Sequence, residues 1–195
     1  MISAILLAAG ESKRMGQPKL LLPFGNRTIL EQTVDNLLNS RLDEVIVVVG
    51  HKAQELTLKL TNRPVKVVLN PVYHEGMGSS IAKGLSLVDD SCRAVMLVLA
   101  DQPLIDSKTI NLLIEAFLSH DKGIVVPVCR GRRGHPVIFT TKYRRRLQSL
   151  VGDIGGRQII EEHEDDTFEV VIDSGSINID IDTMNDYRSH INRQA

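Results

Sequence analysis

Ile2-Ser-Ala-Ile-Leu-Leu-Ala8-Ala9-Gly10-Glu-Ser12-Lys-Arg14-Met-Gly16-Gln-Pro-Lys19 is the stretch on which the fold turns. Its first seven residues are apolar nearly throughout rather than alternating, the pattern of a parallel strand covered on both faces. The run lacks a basic leader and passes at once into a charged loop, so it reads as a buried strand and not as a signal peptide. In open α/β sheets ligands bind outside the carboxyl ends of the strands. A strand ending at Ala8 or Ala9 and opening into a loop with two glycines, Arg14 and Lys19 is therefore the first candidate for a binding site.

Similar β-branched apolar runs recur at Glu44–Val49, Val65–Leu69, Ala94–Leu99 and Gly123–Val128. Between them lie helical patterns at Ile29–Leu38, Ala53–Leu60, Ser79–Leu87 and Ser107–Leu118. Thr28 and Glu31 form a capping box ahead of the first, and Asp106 or Ser107 is placed to cap the last. Alternation of strand and helix predicts right-handed βαβ crossovers and a Rossmann-like three-layer α/β/α fold with a doubly wound, mostly parallel sheet. After residue 129 the pattern changes. Arg130–Arg133 reads as a basic turn, and Pro136–Thr140 as a short strand pairing antiparallel at a sheet edge. Lys142–Leu150 and Arg157–Glu162 read as helices, Phe168–Ile172 and Ser176–Ile181 as strands, and Met184–Ile191 as a final helix. No repeat or linker divides residues 1–195, which are expected to form one domain.

Composition narrows the partners. With 23 basic and 24 acidic residues the net charge is −1, which provides no global field for nucleic acid or an anionic membrane. Aromatic residues are 4 % of the chain, too few to supply stacking platforms for single strands. Cys92 and Cys129 are far apart and lack a CxxC partner, which argues against a disulfide framework or zinc site and for a reducing, cytoplasmic setting. No apolar run approaches the roughly 20 residues needed to span a bilayer.

Small residues at Ala8, Ala9 and Gly10 let backbone approach a ligand, and exposed N–H groups there can cradle phosphate oxygens. Arg14 offers a planar fork and Lys19 a point charge. The loop is neither GxGxxG nor GxxxxGKS, so the usual dinucleotide and P-loop readings fail. On these features alone it is either an anion site or a basic surface turn. Likewise Asp101, at the carboxyl end of Ala94–Leu99, either faces that loop as a metal ligand or caps the turn before Pro103. Asp182 offers a second carboxylate or caps the final helix. On a strand Asp180 would share its face.

The segment LLAAGESKRMGQPKLLLPF resembles the signature loop of the MobA-like nucleotidyltransferases, LAxGxSxRMGxxKxLLP, and within that group most resembles the molybdenum cofactor cytidylyltransferases. The resemblance runs from Leu6 to about Tyr187 in five segments, in the family's order. It implies a nucleotide-diphospho-sugar transferase-like fold and a loop that wraps a triphosphate. Leu7, Ala8, Ala9, Gly10 and Ser12 would line that loop, with Arg14 and Lys19 on the phosphates. Members using GTP usually carry glycine where this chain has Ala9, so Ala9 points to CTP. The Asp-x-Pro aspartate, Asp101, is implied as a magnesium ligand. Ile179-Asp180-Ile-Asp182-Thr is similar to DIDTPED, with Met184 and Asn185 where Pro and Glu are usual, and implies Asp182 as the second ligand, with Asp180 as the other candidate.

Asn70-Pro-Val-Tyr-His74-Glu-Gly76-Met-Gly78-Ser79-Ser80 resembles NPxxxxGMxSS and implies nucleotide contacts from Asn70, Gly78, Ser79 and Ser80. The serines would equally serve as helix caps. His74 is outside the match and reads as an ordinary loop residue. Arg133, Gly134, His135 and Pro136 resemble the family's Gly-His-Pro segment. Gly152-Asp153-Ile-Gly-Gly156-Arg157 is similar to GDxGAR, with Gly156 where Ala is common. Both imply acceptor contacts, from Arg133 to Pro136 and from Arg157. Arg133 and Arg157 read alternatively as surface arginines. Arg144–Arg146 reads as a solvated helix face and Glu161–Asp166 as an exposed acidic turn.

Together the resemblance implies Mg²⁺-dependent transfer of CMP from CTP to the terminal phosphate of molybdopterin or molybdenum cofactor, with release of pyrophosphate. Arg14, Lys19 and Asp101 would carry the chemistry, and a molybdenum hydroxylase would be a transient partner. The competing expectations are a relative using GTP or a sugar or alcohol phosphate, and a non-catalytic carrier of the cofactor.

Overall fold

The computed structural model describes residues 1–191. In chain order the elements are β1 (Ile2–Ala8), β2 (Pro23–Phe24), β3 (Arg27–Thr28), α1 (Ile29–Leu38), β4 (Glu44–Val49), α2 (Ala53–Lys59), β5 (Lys66–Leu69), α3 (Met77–Leu85), β6 (Ala94–Leu99) and α4 (Ser107–Ser119). The remainder are β7 (Ile124–Cys129), β8 (Arg132–Arg133), β9 (Val137–Thr140), α5 (Arg144–Gln148), α6 (Arg157–Glu162), β10 (Thr167–Val171) and α7 (Met184–Ile191). The main sheet runs β10-β7-β9-β6-β1-β4-β5, with β8 paired to the end of β7. β1 pairs parallel with both β4 and β6, β4 with β5, and β7 with β10.

The continuous apolar runs follow from burial on both faces. Ala4, Leu6 and Ala8 point into one core with Leu30, Val34, Leu56 and Leu113, so α1, α2 and α4 cover that side. Ile5 points the other way, with Ile81, Leu85, Leu147 and Ile159 from α3, α5 and α6. The result is the expected three-layer fold. Thr28 and Glu31 close a reciprocal capping box on α1, and Asp106 caps α4 through the Thr109 N–H.

Three expectations are corrected. Val137–Thr140 is not at a sheet edge: β9 lies inside the sheet, antiparallel to β6 on one side and β7 on the other. Nor is Ser176–Ile181 a strand. Gly175–Asn178 is a 3₁₀ turn in which the Ser174 hydroxyl accepts from the Ser176 N–H, and local side-chain bonding of this kind competes with a ladder. Backbone bonds still pin the segment under the sheet's carboxyl edge, as His135 N–H donates to the Ile177 carbonyl and Ile181 N–H to the Asp101 carbonyl. In place of one helix over Lys142–Leu150 there is a 3₁₀ turn, Thr141–Tyr143, followed by the short α5.

Strand order reverses between β1 and β6, because the chain leaves β1 for β4 and β5 and then returns to β1's other side. The crevice at such a switch point is where an open α/β sheet binds ligands.

Candidate active site

A cavity of about 550 Å³ opens at this reversal, lined by Leu7–Arg14, Lys19, Leu99–Asp101, Ser80, Asp180 and Asp182. Its floor is the carboxyl ends of β1 and β6. The Ala100 N–H donates to the Leu7 carbonyl, which ties the two strand ends together beneath it. The loop beyond β1 holds its own shape. Ser12 adopts a left-handed conformation, with φ 56°, and its hydroxyl accepts from the Lys19 N–H at 3.2 Å. Ser12 thus closes the turn that brings Lys19 back to the strand ends.

Four of the predicted charges meet at the cavity. Lys19 Nζ lies 2.5 Å from Asp101 Oδ2 and 2.7 Å from Asp182 Oδ1, and Arg14 Nη2 lies 2.8 Å from Asp182 Oδ2. Burial alone would lower the lysine's pKa, but the two carboxylates outweigh it and hold the ammonium above its ordinary value. Both local alternatives for the aspartates lose their basis. Asp101 Oδ2 accepts from Lys19, and its Oδ1 is buried without a hydrogen-bond partner instead of capping the turn. The α7 end is capped by Thr183 and Asp186, with Asp186 Oδ2 accepting from the Thr183 N–H at 2.8 Å and the Thr183 hydroxyl accepting from the Asp186 N–H. Asp182 is left facing the cavity.

Asp180 lines the same cavity and accepts from Gln102 Nε2 at 2.6 Å. Desolvation and the charges of Asp101 and Asp182 raise its pKa. The donor set fits a hard divalent cation. A buried carboxylate oxygen without a partner stands beside a second carboxylate, and Mg²⁺ needs only one or two protein carboxylates when waters and phosphates fill the other positions. Among the described residues no group of three or more His, Cys, Asp or Glu side chains forms a ready-made cage.

The serine segment divides. Ser80 lines the cavity and accepts from Asn70 Nδ2 at 3.0 Å, so its own hydroxyl hydrogen can be donated inward. Asn70 is buried: its amide also donates to Ser79, and its carbonyl accepts from the Val72 N–H. Asn70 and Ser79 therefore brace the loop from beneath. Gly78 lets the helix start approach the backbone of Leu150 and Val151, since a Cβ there would stand 2.3 Å from the Leu150 carbonyl oxygen. Its N–H donates to the Gly152 carbonyl, and the Met77 N–H donates to Asp153 Oδ1.

On the acceptor side, His135 is half-buried near Asp180 and Asp101, and desolvation outweighs those charges to lower its pKa. Gly134 and Pro136 flank it. Arg133 points elsewhere, with its Nε 2.7 Å from Glu169 on β10, and Arg157 is 85 % exposed and paired with Glu161. Neither arginine lines the cavity. The sequence reading missed Tyr73, His74, Met77 and Asp153, which do. Tyr73 and His74 lay in plain view between Asn70 and Gly76. Of the three arginines read as a solvated face, Arg144 instead donates to the Leu85 and Val88 carbonyls.

The sequence of residues 4–167 matches the MobA-like NTP transferase domain. The nicotine blue oxidoreductase of Paenarthrobacter nicotinovorans is 31 % identical, with 83 % of this chain and 82 % of that protein covered. The molybdenum cofactor cytidylyltransferase of Escherichia coli K12 is 28 % identical, with 95 % and 93 % covered. Among solved structures, Rv0371c from Mycobacterium tuberculosis H37Rv superposes with a TM-score of 0.88 at 28 % identity, covering 98 % of this chain and 97 % of that one. A manganese complex of the same mycobacterial protein gives 0.84 at 26 %, with 98 % of each chain covered. With the signature loop, the Asp-x-Pro carboxylate and the switch-point cavity in place, the chain belongs to the MobA-like NTP transferase family.

Proposed function

We propose that the protein is a Mg²⁺-dependent cytidylyltransferase that moves CMP from CTP to the terminal phosphate of molybdopterin or molybdenum cofactor. The observation that carries the reading is the meeting of Arg14, Lys19, Asp101 and Asp182 at the cavity mouth. Two cations suit the triphosphate and two carboxylates suit the metal. Asp101 and Asp182 would hold the divalent cation, which would supply positive charge against the triphosphate. The Leu7–Ser12 backbone and the Ser80 hydroxyl bind the nucleotide, with Asn70, Gly78 and Ser79 holding that wall in place. Arg14 and Lys19 stabilise the charge that builds as the α–β bridge breaks.

A terminal phosphate oxygen of the acceptor attacks the α-phosphorus. The new P–O bond replaces the bond to the β-phosphate, and pyrophosphate leaves. That oxygen is already ionised at neutral pH, so no general base is required. His135, held low in pKa, serves as a neutral hydrogen-bonding group toward the acceptor. Arg133 and Arg157 reach the acceptor by leaving their exposed carboxylate partners, at a cost of no more than about 1 kcal/mol each.

The nucleotide preference rests on Ala9 and on the cytidylyltransferase relative. The Paenarthrobacter relative is named an oxidoreductase, and a shared scaffold does not fix a reaction. Pyrophosphate release should therefore be measured with CTP, GTP, ATP and UTP separately, each with Mg²⁺ and molybdenum cofactor. The expected result is release with CTP. Activity with GTP alone would overturn the base assignment. Tight cofactor binding with no pyrophosphate from any nucleotide would favour a carrier.

A further inference from the structure

The groups assigned to triphosphate and metal are paired with one another. The Lys19 ammonium spans Asp101 and Asp182 at 2.5 and 2.7 Å, and the three side chains are only 14 %, 20 % and 21 % exposed. Arg14, 72 % exposed, pairs among the described residues with Asp182 alone. We propose that Lys19 is the resident counter-ion of the divalent-cation site, blocking it until a nucleoside triphosphate draws the ammonium away. The proposal rests on reading Asp101 and Asp182 as the metal carboxylates.

Electrostatics and geometry both support the exchange. Two neighbouring carboxylates withdrawn from water need a countercharge, and Lys19 supplies it. A divalent cation bound between the same oxygens would face that ammonium at close range, and repulsion of like charges in a partly desolvated site is strong. The free metal must therefore displace Lys19, and the lysine would then have lost its partners. A triphosphate removes the conflict by offering new oxygens to Lys19 and Arg14. The four-carbon stem of Lys19 lets the ammonium swing while the Ser12 hydroxyl keeps hold of the Lys19 backbone. Asp101 Oδ1, buried and without a partner, marks the side of the carboxylate that the ammonium does not satisfy. Cation and nucleotide thus enter as a unit, and the site is guarded against metal alone.

The test is Mn²⁺ binding without nucleotide, read by electron paramagnetic resonance of the free ion, on the full chain with its fold checked by circular dichroism. Lys19→Met is expected to bind Mn²⁺ at least about tenfold more tightly than wild type. Arg14→Met should shift affinity in the same direction by less, because it frees one side of one carboxylate. Adding Asp101→Asn to Lys19→Met should abolish the gain. Equal or weaker Mn²⁺ binding by folded Lys19→Met than by wild type would overturn the counter-ion role and leave the metal reading standing. Absence of Mn²⁺ binding in every variant without nucleotide would overturn the counter-ion role, and absence with CTP added as well would overturn the metal reading. If Lys19→Met fails to fold, Lys19→Gln, which removes the charge and keeps a polar side chain, decides, and an unchanged affinity there counts against the proposal.

Discussion

Gly156 faces the ring of Phe139: a Cβ at residue 156 would stand 2.7 Å from the Phe139 Cζ and 3.0 Å from its Cε2. This accounts for glycine where the resembled family commonly has alanine. Phe139 is fully buried on β9, in the middle of the sheet, so the ring cannot retreat into solvent. Gly156→Ala is expected to destabilise by about 1–3 kcal/mol, the scale of overpacking. At roughly 2–4 °C per kcal/mol for a chain of this size, the fall is visible in a thermal melt. Adding Phe139→Leu should recover part of the loss, and independent, additive effects would refute the clash.

Asp101 has one oxygen on Lys19 and the other without a partner, so its side chain contributes little to holding the fold. Asp101→Ala is therefore expected to fold normally and to lose at least ~10²-fold in turnover, the scale of removing one electrostatic contributor. Pyrophosphate release at saturating nucleotide and Mg²⁺ measures it. Near-wild-type turnover would remove Asp101 from the chemistry.

Much of this was legible in the residues. Strands buried on both faces leave unbroken apolar runs, so β1, β4, β6 and β7 were visible one by one. Their neighbours were not, because lateral order depends on where the chain crosses. Nothing within Pro136–Thr140 distinguishes an edge strand from one inserted between β6 and β7. Ile177, Ile179 and Ile181 imitate the period of a strand, yet Ser174 turns the backbone before a ladder can form. The charged site was legible because Arg14 and Lys19 sit in the signature loop, Asp101 lies just beyond β6, and Asp182 falls in the segment similar to DIDTPED. Asp153 was not, since it reaches the cavity through backbone contacts between the Gly152 turn and the start of α3.

Asp166, read from sequence as part of an exposed acidic turn, ties the far end of the sheet together. It accepts from the Tyr143 hydroxyl at 2.5 Å and the Gly123 N–H at 3.0 Å, and pairs with Lys142 at 2.7 Å. Desolvation pulls its pKa up, but these donors win and hold it below the ordinary value of 3.8. A depressed carboxylate contributes stability above its unfolded pKa and loses it as the pH falls through the folded one. Asp166→Asn should thus lower Tm at pH 7 by several degrees, given about 1–3 kcal/mol for hydrogen bonds to a charged group. The gap from wild type should close as the pH is taken below about 4. A gap that persists unchanged into acid would show that shape, not charge, matters there.

Arg157 distinguishes the two sides of the proposed reaction. Its guanidinium is exposed and, among the described residues, held only by Glu161, one helical turn away in α6, so removing it should leave Tm unchanged. It begins α6 at the end of the turn whose Gly152 and Asp153 dock on the start of α3, and it does not line the cavity. If it swings to an acceptor phosphate, Arg157→Ala removes one charge-assisted bond and raises the acceptor KM by about tenfold or more. The nucleotide KM should stay as it was, because the triphosphate groups, Arg14 and Lys19, are untouched. Initial-rate measurements varying each substrate in turn separate the cases. A raised nucleotide KM would move Arg157 to the triphosphate side. Unchanged values for both would leave the acceptor to His135 and its neighbours Gly134 and Pro136.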